Sequence, residues 1–240
     1  MSGILHDQFP DDAIAHPLPG TRPLAPGDWL RRDERYAEQM ALRDRLVLQQ
    51  RDKVIAQTDD AVDAVAELLS VVLEDLGVRG SDYRRADGVT VGIDRDDPLG
   101  TLGRLAQEDF IVMLRGENEH WLAAGVLCFP SLWTLTQKIG RPLTAIHTPV
   151  PEYDTALATR VQRLFDLVRV EQPLVRWNHL PYETDRLHNP ALESTSPEDY
   201  HASGPRPFLR KERQVIKRLP ETGAVVFSIH TWLVRAQDAG

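Results

Sequence analysis

Apolar residues recur along this chain with two different periods, and the change of period locates most of its elements. Val62, Val65, Leu68, Leu69, Val72, Leu73 and Leu76 keep helical spacing until Gly77, with Thr58-Asp59-Asp60 in front as cap and acidic first turn; a helix is predicted there. Residues 32–48 predict a second, charged helix. Leu157, Val161, Leu164, Phe165 and Val168 predict a third behind Asp154. Beyond Gly80 the apolar runs shorten, and residues 89–93, 110–114 and 121–129 are bounded by Gly, Asp, Asn or Pro, as strands are. Residues 115–120 separate two of them at hairpin distance. Ser131 heads a short helix over residues 133–138 that Gly140 ends, and residues 173–180 and 224–234 predict further strands. Residues 1–27 are proline-rich and read as an extended arm, while residues 183–206 read as a polar loop. The sum is α+β, an antiparallel sheet of five or more strands with helices grouped on one face and at the N-terminus. Residues 28–236 form its single domain.

Charge and cysteine usage narrow the function. With 240 residues, 28 basic and 36 acidic side chains and a net charge of -8, the chain lacks the basic face a general nucleic-acid binder needs. Its one cysteine, Cys128, excludes an internal disulfide and fits a reducing compartment. No apolar run reaches the 18–20 residues of a membrane span, and residues 1–20 carry no signal-peptide pattern. A cytoplasmic protein is expected. G-x-G-x-x-G, Walker, G-x-S-x-G, H-E-x-x-H and C-x-x-C patterns are all missing, which disfavours the usual nucleotide, Ser-hydrolase and thiolate-zinc sites.

Histidines and arginines remain as candidate chemistry. His6, His16, His188 and His201 lie in polar or proline-rich segments and read as solvated, and His120 sits in a turn. His147, His179 and His230 lie in or beside apolar runs, where an imidazole is either a hydrogen-bonded structural group or a ligand. His147 stands before Thr148-Pro149-Val150-Pro151. Two prolines there could stiffen the chain enough to aim an axial ligand, although a tight turn into the next helix has the same pattern. In Arg210-Lys211-Glu212-Arg213-Gln214, alternation puts Arg210 and Glu212 on one face of an extended segment and Lys211 and Arg213 on the other. The block is either a solvated charged edge or a place where arginines pair with a cofactor carboxylate and Glu212 faces a cationic substrate. Arg176-Trp177-Asn178-His179 is a second such cluster.

Taken in order, these runs resemble the haem-binding alpha subunit of haem-dependent oxidative N-demethylases, a family with a PAS-like domain. The resemblance is carried by Asp97-Pro98-Leu99, Gln107-Glu108-Asp109, the run from Ala124 to Ser131 with Trp133, Lys138-Ile139-Gly140-Arg141-Pro142-Leu143, and Ile146-His147-Thr148-Pro149-Val150-Pro151. Arg176 and Asn178 follow, then Leu209 to Gln214, Arg218-Leu219-Pro220 and Thr222 to Phe227. Two positions depart from the family's pattern. His179 stands where Arg-x-Asn-Trp would place an aromatic residue, and His230 where an Ile-Arg-Thr-Tyr run would place an arginine.

The resemblance implies haem b with His147 as the axial metal ligand, and Arg210, Arg176 and Asn178 as further cofactor contacts. Glu212 and Arg213 become the catalytic side chains, and His179 or His230 the alternative ligands. It further implies O2-dependent oxidation of an N-methyl group on a small amine, release of formaldehyde, and electrons from reductase subunits carrying flavin and an iron–sulfur centre. The alternatives are a haem- or ligand-binding sensor module, a haem oxygenase-type enzyme acting on another substrate, and a haem-free scaffold subunit.

Overall fold

The computed structural model describes residues 3–14, 16–17, 19–147, 154–193 and 204–238. Its strands are β1 (Arg22–Pro23), β2 (Ile55–Gln57), β3 (Asp82–Arg84), β4 (Thr90–Gly92), β5 (Asp109–Arg115), β6 (His120–Val126), β7 (Leu174–Tyr182), β8 (Phe208–Arg218) and β9 (Val225–Arg235). The helices are α1 (Tyr36–Gln49), α2 (Arg51–Val54), α3 (Val62–Asp75), α4 (Pro98–Leu105), α5 (Leu135–Lys138), α6 (Leu143–Ile146) and α7 (Thr155–Leu167). Among the described residues, seven strands form one sheet in the order β1-β7-β8-β9-β5-β6-β2, and β3 pairs with β4 apart from it. Every pairing in the large sheet is antiparallel. The predicted hairpin closes with Arg115 opposite His120, and a register shift follows between Val112 and Met113.

Residue parity along the strands divides the interior into two cores. Phe110 and Val112 of β5, with Val175 and Val215, pack with α3 and α4 side chains such as Leu68, Leu69, Leu99 and Leu102. Ile111 and Met113, with Ile216 and Val225, pack instead against Leu135, Leu143, Ile146 and Phe165 from the α5–α7 segment. Helices therefore cover both faces of the sheet, which is why β5 reads as an unbroken apolar run instead of alternating. Grouping on one face is not observed. Below, the α1–α4 face and the α5–α7 face name the two sides.

Local signals behave as their chemistry dictates, with a few departures. Asp154 caps α7 by accepting from the Leu157 amide at 2.7 Å. Gly77 ends α3 at φ +69°, a left-handed position only glycine takes without strain. Thr58 does not cap, since its hydroxyl donates to the Ala123 carbonyl at 3.0 Å, and a 3-10 turn over Asp59–Ala61 starts the helix instead. α1 begins at Tyr36 and not at residue 32. Ser131 heads no helix; it forms a bridge with Asn189, and Thr134 precedes α5.

The N-terminal residues pack tightly on the sheet. His6 is buried, its amide donating to the Leu233 carbonyl and its ring facing Asp33 at 3.0 Å, so it is not a solvated loop histidine. Phe9 and Ala13 cover Trp177 and Trp232, and the Trp29 indole donates to Ser228 Oγ at 3.0 Å. Thr148 to Pro151 and His201 lie outside the described residues.

Candidate functional site

Alternation along β7 and β8 decides which polar side chains meet. Arg176 lies opposite Gln214, Asn178 opposite Glu212 and Leu180 opposite Arg210, so these share the parity of Leu174 and Ile216 and stand on the α5–α7 face. Glu212 is held from three sides. Arg210 Nε donates to Oε1 at 2.8 Å, while Gln214 Nε2 at 3.0 Å and Asn178 Nδ2 at 3.5 Å reach Oε2. Arg210 is wholly buried, with its remaining donors on the Leu187 and Phe129 carbonyls and its guanidinium over the Tyr182 ring at 5.4 Å. It positions Glu212 and is tied to the chain through every guanidinium nitrogen.

Arg176 differs. One nitrogen donates to Gln214 Oε1 at 2.8 Å, while its Nε–H is buried without a hydrogen-bond partner. Burial lowers its pKa, and Glu212 opposes that shift. A partly dehydrated guanidinium with an unsatisfied donor on a half-exposed strand position fits an anionic group such as a carboxylate.

His147 follows the last turn of α6 on the same face, next to Ile146 of the α5–α7 core. α6 is fixed by Glu119, whose carboxylate accepts from the Thr144 amide and hydroxyl at 2.8 and 2.7 Å, and by Lys138, which donates to the Ile146 carbonyl. The ring Nδ1 lies 2.8 Å from the Leu143 carbonyl. Donation there puts the lone pair on Nε2, the tautomer a histidine ligand uses. Burial is the main cause that lowers its pKa; the Leu143 hydrogen bond opposes it, and the charges of Lys138 and Arg176 add to it. That shift favours the neutral imidazole, the form metal ligation requires. Among the described residues no group of three His, Cys, Asp or Glu side chains is placed to hold a metal ion.

Arg213, His179 and His230 point to the opposite, α1–α4 face. Arg213 stands opposite Trp177 and His230, buried, donating to the Trp29 and Asp28 carbonyls and to the Asp28 carboxylate. It fastens the segment ahead of α1 to the sheet and does not meet Glu212. His179 lies opposite Lys211, whose ammonium donates to the Ala13 carbonyl. His230 is completely buried, with Nδ1 3.0 Å from Glu108 Oε1 and Nε2 2.8 Å from Asp33 Oδ2. Its pKa is raised: burial acts downward, and the hydrogen bonds and charges of the two carboxylates outweigh it. Both ring nitrogens are committed, so the two departures from the family's pattern fall away from the His147 face.

Two features escaped the sequence reading. Gln214 belongs to the site, and the alternation that paired Arg210 with Glu212 would have reached it two residues later. The Asp33–Glu108–His230 cluster joins residues 75 and 122 positions apart in sequence, and no local pattern marks it. Likewise the Gln107-Glu108-Asp109 run is structural: Asp109 binds Arg43 at 2.7 Å and accepts from the Cys128 and Phe129 amides.

Cys128 is buried, its thiol pushed up to about 12, mainly by burial. No described helix is long and apolar enough to cross a membrane. The family model for the haem-dependent oxidative N-demethylase, alpha subunit-like proteins matches residues 20–239. That span takes in both faces of the sheet, the Arg176–Glu212 cluster and His147, and the chain belongs to this family of haem-dependent oxidative proteins.

Proposed function

We propose that this chain is a haem-dependent monooxygenase that oxidatively removes an N-methyl group from a small amine, working in the cytoplasm with a PAS-like domain and drawing electrons from a separate reductase with flavin and an iron–sulfur centre. The observation that carries the reading is the His147 imidazole, tethered through Nδ1 to the Leu143 carbonyl, on the face where Arg176 keeps an unsatisfied buried donor. In this reading His147 holds the iron of haem b through Nε2, and Arg176 pairs with a propionate. When bound, haem would supply O2 activation and oxidation of a C–H bond.

The chain's own side chains do the rest. Glu212, oriented by Arg210 and Gln214, accepts a hydrogen bond from the substrate ammonium and fixes its methyl group in one direction. Asn178 lies at the edge of that carboxylate and limits how it turns. Apolar Ile229 and Leu180 on the same face exclude water. The hydroxymethyl amine so formed loses formaldehyde by breaking its C–N bond, and the amine nitrogen takes up the proton. One atom of O2 leaves in formaldehyde and the other in water, with two electrons and two protons consumed. No dinucleotide motif is present in the chain, hence the separate reductase.

The test is spectroscopic first. Protein produced with a haem precursor is expected to show a Soret band, and His147→Ala to lose it, with added imidazole restoring it in part. Colourless wild-type protein, or a variant with unchanged bands, overturns the ligand assignment. With a reductase supplied, NAD(P)H-dependent formaldehyde and demethylated amine should appear in equal amounts; haem reduction without product from any methylamine tested overturns the demethylase reading.

A further inference from the structure

On the α1–α4 side, away from His147, a cavity of about 340 Å³ opens where three helix ends converge. Tyr36 begins α1, Asp75 ends α3 and Leu105 ends α4, and all three line it, together with Glu108, Leu30 and Leu76. Two of its buried polar groups lack partners. The Tyr36 hydroxyl makes no hydrogen bond although the residue is 8% exposed, and Glu108 Oε2 makes none although Glu108 is 1% exposed. Oε1 of Glu108 is fully used by the Arg31 amide and His230. Buried oxygens without donors are costly, and each marks a place for a donor from outside the chain.

The sign of that donor follows from what is already satisfied. Both basic side chains at the cavity have partners: Arg31 is clasped by Asp12 and Asp28, and Arg32 donates to the Tyr83 hydroxyl at 2.6 Å. The acceptors are the groups left over. The C-terminal ends of α3 and α4 bring the negative ends of two helix dipoles to the cavity, against the positive end of one, the start of α1. Burial raises the pKa of the Asp75 carboxyl, Lys217 lowers it, and the charge of Glu108 raises it further, so the two carboxylates repel one another across the space. A bare metal ion does not suit the place, because no group of three potential ligands is close enough among the described residues, and the floor of Leu30, Leu76 and Leu105 is apolar.

We propose that this cavity is a binding site for a small organic ammonium ion, with its N–H groups on Glu108 Oε2 and the Tyr36 hydroxyl and its hydrocarbon body on the leucine floor. The volume equals roughly ten waters, room for an alkyl- or arylamine and little more. Because Glu108 also holds His230 and the Arg31 amide, occupancy stiffens the attachment of the segment ahead of α1. The site is separate from the haem face and stands whether or not the haem reading does.

Calorimetric titration of the full chain with benzylamine tests it, with benzyl alcohol as the neutral analogue. Benzylammonium should bind saturably at this cavity, independently of any binding at Glu212, and benzyl alcohol at least tenfold more weakly. Tyr36→Phe removes only a hydroxyl and Asp75→Asn only an exposed charge; each should weaken benzylammonium roughly tenfold, while Glu212→Gln leaves this site unchanged. Equal affinity for the alcohol, no saturable binding of the amine, or wild-type binding in both Tyr36→Phe and Asp75→Asn overturns the proposal. Loss of binding in Glu212→Gln alone assigns the amine to the other face and overturns it too.

Discussion

Replacing His230 with glutamine removes the one cation lying between two buried carboxylates. The ring sits 3.0 Å from Glu108 and 2.8 Å from Asp33 and has no exposure. Breaking a buried pair by deleting one partner costs about 3–5 kcal/mol, because the charge left behind has no compensation. Here the lower end applies. Asp33 keeps the His6 ring at 3.0 Å, the Gln107 amide at 3.0 Å and the Arg35 N–H at 2.8 Å, and Glu108 keeps the Arg31 N–H at 2.8 Å. A loss of about 3 kcal/mol lowers the melting temperature of a chain this size by roughly 6–12 °C. The pH dependence gives the sharper test. His230 has a pKa raised above 6.5 in the folded chain, so its stabilisation is complete below pH 6.5 and is lost as pH rises through the folded value. The Asp33 carboxyl is displaced the other way. Burial, its largest single influence, acts upward and is outweighed by hydrogen bonds and charges from His230 and His6, leaving it below 3.8. Its contribution is present above pH 3.8 and lost as pH falls through the folded value. Denaturant melts should therefore show the widest gap between wild type and His230→Gln at about pH 4–6.5, closing toward alkaline pH. A gap under about 1 kcal/mol, or one independent of pH, refutes an imidazolium held between carboxylates. The variant should retain haem as wild type does, because His230 faces away from His147.

Two other substitutable groups give simpler expectations. The Cys128 thiol, 0% exposed and pushed up to about 12, should not react with a disulfide reagent at mild alkaline pH in the native protein and should react once the chain is unfolded; rapid native labelling would contradict its burial. In Gly103→Ala the new methyl group would lie 2.8 Å from a Val126 methyl and 2.9 Å from a Val47 methyl. Overpacking of that kind costs about 1–3 kcal/mol and offsets the roughly 1 kcal/mol gained in helix propensity, so thermal melting should show a lower midpoint, not a higher one.

What could be read from the sequence was whatever repeats locally. The period of Val62 to Leu76 and the Asp154 cap gave α3 and α7 nearly to the residue, and the alternation of Arg210, Lys211, Glu212 and Arg213 gave their two faces. The same logic could not say which face carried the site, because β8 is polar on both. It also missed that helices cover both sides of the sheet: residues 110–114 read as apolar throughout, which reports double burial without saying what lies on either side. Arg43 falls in the run read only as a charged helix. Its buried pairing with Asp109 depends on a partner 66 residues away, and nothing within a helical window indicates it.

Division of labour across the sheet explains why conspicuous residues of one sequence block have unlike duties. Arg210 and Arg213 are three positions apart in one strand, so the pleat sends them to opposite sides. One stiffens the carboxylate of Glu212, and the other ties Asp28 and Trp29 to the sheet. Both are tied to groups of the chain itself, and Arg176, with its unsatisfied Nε–H on the His147 face, is the cation we propose for a propionate. The same argument accounts for the chain's departures at His179 and His230. Both lie on the α1–α4 face, where an aromatic residue or an arginine can be exchanged for histidine if the carboxylates nearby accept the change, and Asp33 and Glu108 do so by raising the pKa of His230. Substitution there alters how the N-terminal residues are fastened and leaves the geometry of the opposite face as it was.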